Sequence, residues 1–402
     1  MNILIVTAMF PPIRTGTSFY SKNLAEELIK KGHKVKIVTV KNLDNHEDNY
    51  VFSVERLAAF HIPLKNYFKH FRITFLFPPN YIRLWKITKE FQANIILLVN
   101  HYQDIAFPAI LASMVNKVPL VCSVGTQLQS NNLIRHKILN ILEKLICGSL
   151  IFPFCNKIIA WDNQILQYLK DVHGHNIVKK LVIINYGVNG EKNAFLNNNQ
   201  DYSIHGQILG VGAIIEQRNF IPIILAFKEI INDYPNLKLK IIGHIYYNKT
   251  TNLVKKLGLE DKIIFTGELP HAQVLEEMKN SDLFFSSLTG KYLGLGTATI
   301  ESMLMGIPTI ANVPFDLLGK PILKDMTDFI YSDCISITEL VVKLNNLLSN
   351  LELRKKIGEN GKKFITKYLN WNLVAKEMEQ LFMELTGDKS WLEAAAAKET
   401  DI

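Results

Sequence analysis

Two short stretches put chemically useful groups at the start of helices. Leu293-Gly294-Leu295-Gly296-Thr297 leads into a helical run that holds Glu301. Glycines ahead of a helix leave its first amides uncovered, and a helix N-terminus carries partial positive charge, so this spacing predicts an anion site. Glu301 stands four residues past Thr297, one turn in and facing the same end. A carboxylate there can accept both hydroxyls of a ribose while the amides at Gly294, Leu295, Gly296 and Thr297 hold phosphates. The plainer alternative is a surface glutamate after a loop. The second stretch, Pro11-Pro12-Ile13-Arg14-Thr15-Gly16-Thr17-Ser18, joins an apolar strand to a helix. Gly16 allows close backbone approach, and the helix start at Thr17 offers amides to an anion; an ordinary strand-to-helix turn is the alternative. It is not a Gly-x-Gly-x-x-Gly fingerprint, which counts against a dehydrogenase. His101 follows the apolar run 94–99, at the sheet edge where ligands of open α/β folds collect. A structural hydrogen-bonding role is open for it too.

The elements that must position these groups read as two rounds of alternating strands and helices. Ile3 to Val6 is a continuous apolar run of strand length, Ser18 to Lys31 has helical spacing, Gly32 sits where a C-terminal cap belongs, and Lys34 to Val40 is a second strand. Strands follow at 94–99, 118–124, 157–161 and 181–185, with a helix over 105–116. After a polar, Asn-rich linker at 191–204, the rhythm restarts. Strands are predicted at 207–212, 237–242, 263–265, 283–286 and 309–311, with helices at 222–233, 250–257, 272–280 and 297–305. The pattern predicts two doubly wound parallel sheets. The expected domains are 1–190 and 191–370, with a helix at 371–386 crossing back to the first and a tail at 387–402.

Composition narrows the class. At 402 residues the chain suits two domains, and 48% hydrophobic with 20% charged residues is globular. The formal charge of +8 suits an anionic ligand, an acidic membrane surface or nucleic acid. No Arg-rich motif or zinc-finger spacing supports nucleic acid. Cys122, Cys147, Cys155 and Cys334 form no Cys-x-x-Cys pair, so neither a metal site nor a redox motif is expected. The run at 3–6 is too short for a signal core. No stretch approaches the roughly 18 apolar residues of a membrane span. The nearest, Leu145 to Trp161, reads as a buried helix end plus a strand. A cytoplasmic protein is expected.

These motifs carry a resemblance. Phe10-Pro11-Pro12, Gly16, Leu24-Ala25, Gly32-His33, Asn185-Tyr186-Gly187-Val188-Asn189, Gly210-Val211-Gly212, Ile241-Ile242-Gly243, Phe265-Thr266-Gly267, Ser281-Asp282, Glu301-Ser302-Met303 and Gly306-Ile307-Pro308 occur in order. In this the chain resembles the family 4 retaining glycosyltransferases (glycosyltransferase group 1), over roughly residues 1 to 385. The resemblance implies the GT-B fold: two Rossmann-like, doubly wound α/β domains facing a central cleft. It implies sugar transfer from a nucleotide-diphosphate donor, UDP- or GDP-linked, held on the C-terminal domain, to a glycan, lipid-linked or small-molecule acceptor on the N-terminal domain. The acceptor would attack from the face the sugar leaves, with no metal or other cofactor. Polysaccharide or cell-envelope synthesis is the implied setting. Gly16, Thr17, Gly212, Gly243 and Leu269 would join the donor contacts, and Arg218, Glu301 and His101 would act in catalysis.

The chain departs from the family pattern in places. Of the two cations expected after the Gly-x-Gly strand, the first position is Ala213 and the second is Arg218, which can bind phosphate bidentately. Leu293 stands where the first of two paired glutamates belongs. Val124-Gly125-Thr126-Gln127 lacks a histidine common there, and the loop at Thr289-Gly290-Lys291-Tyr292 is about two residues longer, with Lys291 able to restore charge. Ala213 and Leu293 raise an alternative, a non-catalytic nucleotide-sugar-binding homologue or partner subunit. An epimerase or a phosphorylase is a further enzyme alternative, the latter without its cofactor-lysine motif. Residues 65–91 mix bases and aromatics, including Lys65, Phe68, Lys69, Phe75, Tyr81 and Trp85. Exposed, they would suit peripheral contact with the inner face of the cell membrane; a pair of helices with core aromatics is the other reading.

Overall fold

The computed structural model describes residues 1–13, 15–42, 49–63, 70–128, 133–188, 202–289, 291 and 294–387. The chain divides into two compact units, one from Met1–Gly187 together with the segment from Trp371 onward, the other Val188–Asn370.

The first unit runs β1 (Asn2–Val6), α1 (Gly16–Lys30), β2 (Lys34–Val40), β3 (Ser53–Leu57), β4 (Phe60–Pro63), β5 (His70–Ile73), α2 (Pro78–Glu90), β6 (Ile95–Val99), α3 (Ala106–Asn116), β7 (Leu120–Val124), α4 (Leu133–Glu143), β8 (Lys157–Ala160), α5 (Asn163–His173) and β9 (Leu181–Ile183). Seven strands form one parallel sheet in the order β3-β2-β1-β6-β7-β8-β9, while β4 and β5 pair as a separate antiparallel hairpin. Ile3 to Val6 and Ile95 to Val99 are wholly buried, as strands covered on both faces must be. Thr15 caps α1 by accepting from the Ser18 amide, and Gly32 leaves the helix at φ +89°.

The sheet of this unit is closed by α12 (Trp371–Thr386), which packs on α1. Trp371, Val374, Ala375, Met378 and Phe382 share one core with Tyr20, Leu24 and Leu28. At its centre Trp161 stacks on Tyr20 with ring centroids 4.2 Å apart. Trp161 Nε1 donates to Ser123 Oγ at 2.7 Å, and Ser123 donates to the Tyr20 oxygen at 3.1 Å. Gly125 lies flat against this indole: a Cβ there would sit 1.9 Å from Trp161 Cε3. Gly125→Ala is therefore expected to lower stability by about 1–3 kcal/mol through overpacking, read as a lower Tm.

One expectation is corrected here and one refined. Residues 72–91 are not half of a helix pair: β5 precedes a single helix, α2, with Phe75 exposed and Trp85 half-buried, and residues 65–69 lie outside the described residues. Pro78 and Pro79 start α2 where their missing amides cost nothing. The segment from Leu145 is a helix end followed by the expected strand, β8, but the helix end is only partly buried. α4 continues as a π-helical stretch, Lys144–Ile151, and a 3₁₀ turn, Phe152–Phe154. It buries Cys147, Ile151 and Phe152 and exposes Leu145, Ile146 and Leu150. Among the described residues no helix is long and apolar enough to cross a membrane.

The second unit runs β10 (Gln207–Val211), α6 (Ile221–Ile230), β11 (Lys238–Ile242), α7 (Lys249–Leu257), β12 (Ile263–Gly267), α8 (His271–Lys279), β13 (Leu283–Ser286), α9 (Thr297–Leu304), β14 (Thr309–Ala311), β15 (Ile330–Tyr331), α10 (Ile337–Ser349) and α11 (Leu351–Tyr368). Its parallel sheet has the order β12-β11-β10-β13-β14-β15, with β10 between β11 and β13. The order reverses direction at β10, the switch point where a ligand crevice opens beyond the strand ends. Asp282 fixes the start of β10, accepting from the amides of His205, Gly206 and Gln207 at 2.6 to 2.7 Å. Of the expected linker and tail, 191–201 and 388–402 lie outside the described residues.

Candidate functional site

At the C-terminal ends of β10 and β11 two glycines meet. Gly212 has φ +138° and Gly243 φ +149°, conformations that L side chains rarely adopt. A Cβ on Gly243 would lie 2.1 Å from the Gly212 carbonyl oxygen. The two backbones are thus in direct contact, and the surface above them stays free of side chains from these positions.

Arg218 fills the space this leaves. A Cβ on Gly212 would fall 1.0 Å from its Nη1, and one on Gly296 would be 3.8 Å from its Nη2. The guanidinium therefore spans from the β10 end to the start of α9. Nη1 donates to the Val211 carbonyl at 3.1 Å, which orients the fork. The loop bearing Arg218 is stitched to the loop before α9: the Asn219 amide donates to Ser287 O at 3.1 Å and the Thr289 amide to Gln217 O at 2.8 Å. Asn312 then clamps Leu288 from the other side, accepting from its amide at 3.0 Å and donating to its carbonyl at 2.6 Å.

α9 begins with Gly296 as its cap residue and no side-chain cap; the Thr299 amide turns back to Gly296 O at 2.9 Å, which leaves the amides of Thr297 and Ala298 at the positive end of the helix dipole. Gly294, Leu295 and Gly296 are half-buried and Thr297 exposed. Leu293 and Gly290 lie outside the described residues; Lys291 is exposed. Ala213 contributes backbone: its nitrogen would lie 3.0 Å from a Gly243 Cβ. Leu269 is half-buried beside Leu209, Ile242 and Val274 at the base of the same loops.

Glu301 is engaged by a residue that sequence reasoning missed. His271, first in α8, places Nε2 2.9 Å from Glu301 Oε1. The Glu301 hydrogen bond raises the His271 pKa above its ordinary value, against the opposing effect of burial. His271 and Glu301 lie 30 positions apart on different helices, so no local spacing could have paired them.

The candidate residues of the first unit fare differently. Gly16 is open, with nothing within 4 Å of a Cβ placed there. Thr17 is buried, and its hydroxyl accepts from Asn100 Nδ2 at 2.7 Å, so it presents backbone rather than side chain. His101 takes the structural hydrogen-bonding role left open for it. Its side chain has no exposed surface, and Nε2 lies 2.9 Å from Glu143 Oε1. His173 Nε2 meets the same oxygen at 3.2 Å, and the Tyr168 hydroxyl donates to the other. A buried carboxylate needs such partners, and it draws the His101 ring inward. His101 Nε2 is thus engaged in a structural hydrogen bond, while its buried Nδ1 has no hydrogen-bond partner among the described residues. Burial pushes the Glu143 pKa up, but the hydrogen bonds from His101, His173 and Tyr168 outweigh it and hold the carboxyl down at about 2. Among the described residues no group of three or more His, Cys, Asp or Glu could hold a metal ion.

Two family models match the chain. Glycosyltransferase Family 4 covers residues 14–192, and Glycosyl transferases group 1 covers residues 195–364. The chain is 28% identical over 396 residues to an uncharacterised glycosyltransferase of Methanocaldococcus jannaschii, spanning 96% of this chain and 99% of that one. It is 22% identical over 355 residues to the alpha-monoglucosyldiacylglycerol synthase of Streptococcus pneumoniae, spanning 81% and 73% of the two chains. Among solved structures, sucrose-phosphate synthase from Thermosynechococcus elongatus superposes with a TM-score of 0.71 at 18% identity, covering 96% of this chain and 99% of that chain. HepE of Anabaena, solved with UDP, superposes with a TM-score of 0.70 at 13% identity, covering 96% and 100%. At these identities the solved structures establish the fold, which is GT-B. The matches do not favour the non-catalytic alternative raised by Ala213 and Leu293. With both units matched in family order and the glycine-lined, guanidinium-bearing crevice in the second, the chain belongs to the family 4, group 1 glycosyltransferases and is a glycosyltransferase enzyme.

Proposed function

We propose that the enzyme transfers a sugar, with retention at the anomeric carbon and without a metal, from a nucleotide-diphosphate donor held by the second unit. The observation that carries this is the convergence of Gly212, Gly243, the Arg218 guanidinium and the uncapped start of α9 on one surface, with Glu301 a turn away. In this reading the diphosphate lies over the glycines, the α9 amides and Arg218 neutralise it as it departs, and Glu301 receives the ribose hydroxyls. Charge develops on the leaving phosphate, so donors already aimed there favour the transition state over the ground state. That phosphate oxygen then takes the acceptor proton. The UDP-bound and UDP-glucose-bound structures of Anabaena HepE, which shares the fold, support a uridine diphosphate donor, with guanosine diphosphate as the other candidate. The acceptor would be a glycan, a lipid-linked sugar or a small molecule, in cell-envelope or polysaccharide synthesis. A lipid-linked acceptor would require peripheral attachment to the inner face of the membrane.

Calorimetric titration with UDP, GDP and ADP tests the donor assignment, and NMR of the product's anomeric configuration tests retention. Glu301→Ala should weaken binding of the preferred nucleotide about 10- to 100-fold, the loss expected for hydrogen bonds to a charged group of about 1.5–3 kcal/mol. His271→Ala should change it less, because it removes a support and not a contact. Equal affinity of wild type and Glu301→Ala would remove the ribose role.

A further inference from the structure

A helix of a globular unit ordinarily buries its apolar stripe and shows its charges. α4 shows its apolar stripe as well. Within it Glu143 alone is buried, while Leu133 and Ile134 are 78% and 71% exposed and Ile141 is 57% exposed. The outward stripe continues through the π-helical stretch with Leu145, 58% exposed, and Leu150. With Ile138, also half-exposed, Ile134, Ile138, Ile141, Leu145 and Leu150 recur every three to five positions and so share one side of the rod.

The exposed charges that this segment itself carries have one sign. Arg135, Lys137 and Lys144 are exposed, and Glu143 is the only acid between 133 and 161. That carboxylate is turned inward onto His101, His173 and Tyr168. A Cβ on Gly148 would lie 2.9 Å from His173 Nδ1, so the π-helical stretch sits tight on the unit. The same interaction that internalises the negative charge therefore fixes the apolar stripe outward.

We propose that residues 133–154 are a membrane-docking surface, seated in the interface of a bilayer rich in anionic headgroups. Aliphatic side chains flanked by Lys and Arg, with no competing acid, match such an interface. A protein partner is less well matched: interface cores are depleted in Lys and enriched in aromatics and Met, and this stripe is Leu and Ile. Among the described residues no helix is long and apolar enough to cross a membrane, so this segment would lie along the surface. The contact is thus centred on a different segment from the aromatic and basic stretch at 65–91.

Co-sedimentation of the full chain with vesicles tests this. Wild type should sediment with phosphatidylcholine–phosphatidylglycerol vesicles at low salt and release at high salt, and bind phosphatidylcholine alone at least tenfold less. Ile138→Gln/Ile141→Gln/Leu145→Gln and, separately, Lys137→Glu/Lys144→Glu should each lower the partition coefficient about tenfold or more. Because the changed side chains are exposed, Tm and nucleotide titration should match wild type. Three results would overturn the proposal: wild type left in the supernatant with anionic vesicles, an apolar variant that sediments like wild type, or a wild-type dimer in solution that the apolar variant dissolves. None of these readouts involves donor binding, so their failure leaves the transfer reaction standing, and failed nucleotide binding by wild type leaves this surface standing.

Discussion

Arg218→Ala is expected to lower kcat/KM by about 10²–10³, equivalent to roughly 2.7–4 kcal/mol of transition-state stabilisation, the range measured when a donor to a developing anion is removed. The figure rests on what surrounds Arg218. With Ala213 in the preceding position, the loop after β10 brings one guanidinium to the crevice. That group bridges Gly212 and the α9 start instead of sitting at the rim. Arg218→Lys should recover part of the loss, since a lysine keeps the charge but not the fork. Arg218 is half-exposed, so Tm should move by no more than about 2–4 °C, a shift of about 1 kcal/mol in a unit of this size. Steady-state rates within threefold of wild type would show that the α9 amides carry the leaving group without it.

The second large effect concerns stability. Glu143→Ala should cost about 3–5 kcal/mol, because two histidines and a tyrosine assembled around a buried carboxylate lose their common acceptor. A fall in Tm of about 10 °C is the readout. Glu143→Gln keeps an acceptor for one histidine and should cost less. The pH dependence has a definite sign. The folded pKa of about 2 lies below the ordinary 4.5. The stabilisation is therefore fully present above about pH 4.5 and is lost as pH falls through about 2. By linkage it amounts to about 3 kcal/mol. Acid unfolding of Glu143→Gln should lack this component. If wild type and Glu143→Gln unfold with the same acid profile, the cluster does not hold a carboxylate.

Sequence carried the parts of the fold that depend on local pattern. The fully apolar runs at 3–6 and 95–99 are buried central strands, and Gly32 ends α1 as its position suggested. β3 escaped notice because Ser53 to Leu57 carries Glu55 and Arg56 on a sheet edge, where polar residues are tolerated and no apolar run forms. α5, α10 and α11 were simply unread, although Asp162, Ser336 and Asn350 are good caps for them. The crevice proposed for the donor was legible as separate glycines and one arginine, because each sits at a strand end or helix start. What joins them was not legible: that Arg218 lies over Gly212 follows from the loop path, and no spacing encodes it. Of the two roles open for His101, the structural hydrogen bond is the one displayed, and spacing could not select it for a related reason. Position at a strand end marks both ligand contacts and structural hydrogen-bonders, and only the burial of Glu143, 42 residues away, decides between them. The one acid of the stretch 133–161, set between Leu142 and Lys144, was the available hint.

The first unit is split in sequence by the second. Its core includes Trp371, Val374, Met378 and Phe382, contributed after the whole of 188–370 has been made. During synthesis from the N-terminus, residues 1–187 must wait with the groove over Tyr20 and Leu24 uncovered while the downstream unit emerges and condenses. The ribosome thus releases the whole of 188–370 before the unit begun at Met1 can be sealed by the segment from Trp371 onward. That order assigns the period of greatest aggregation hazard to the earlier-made half.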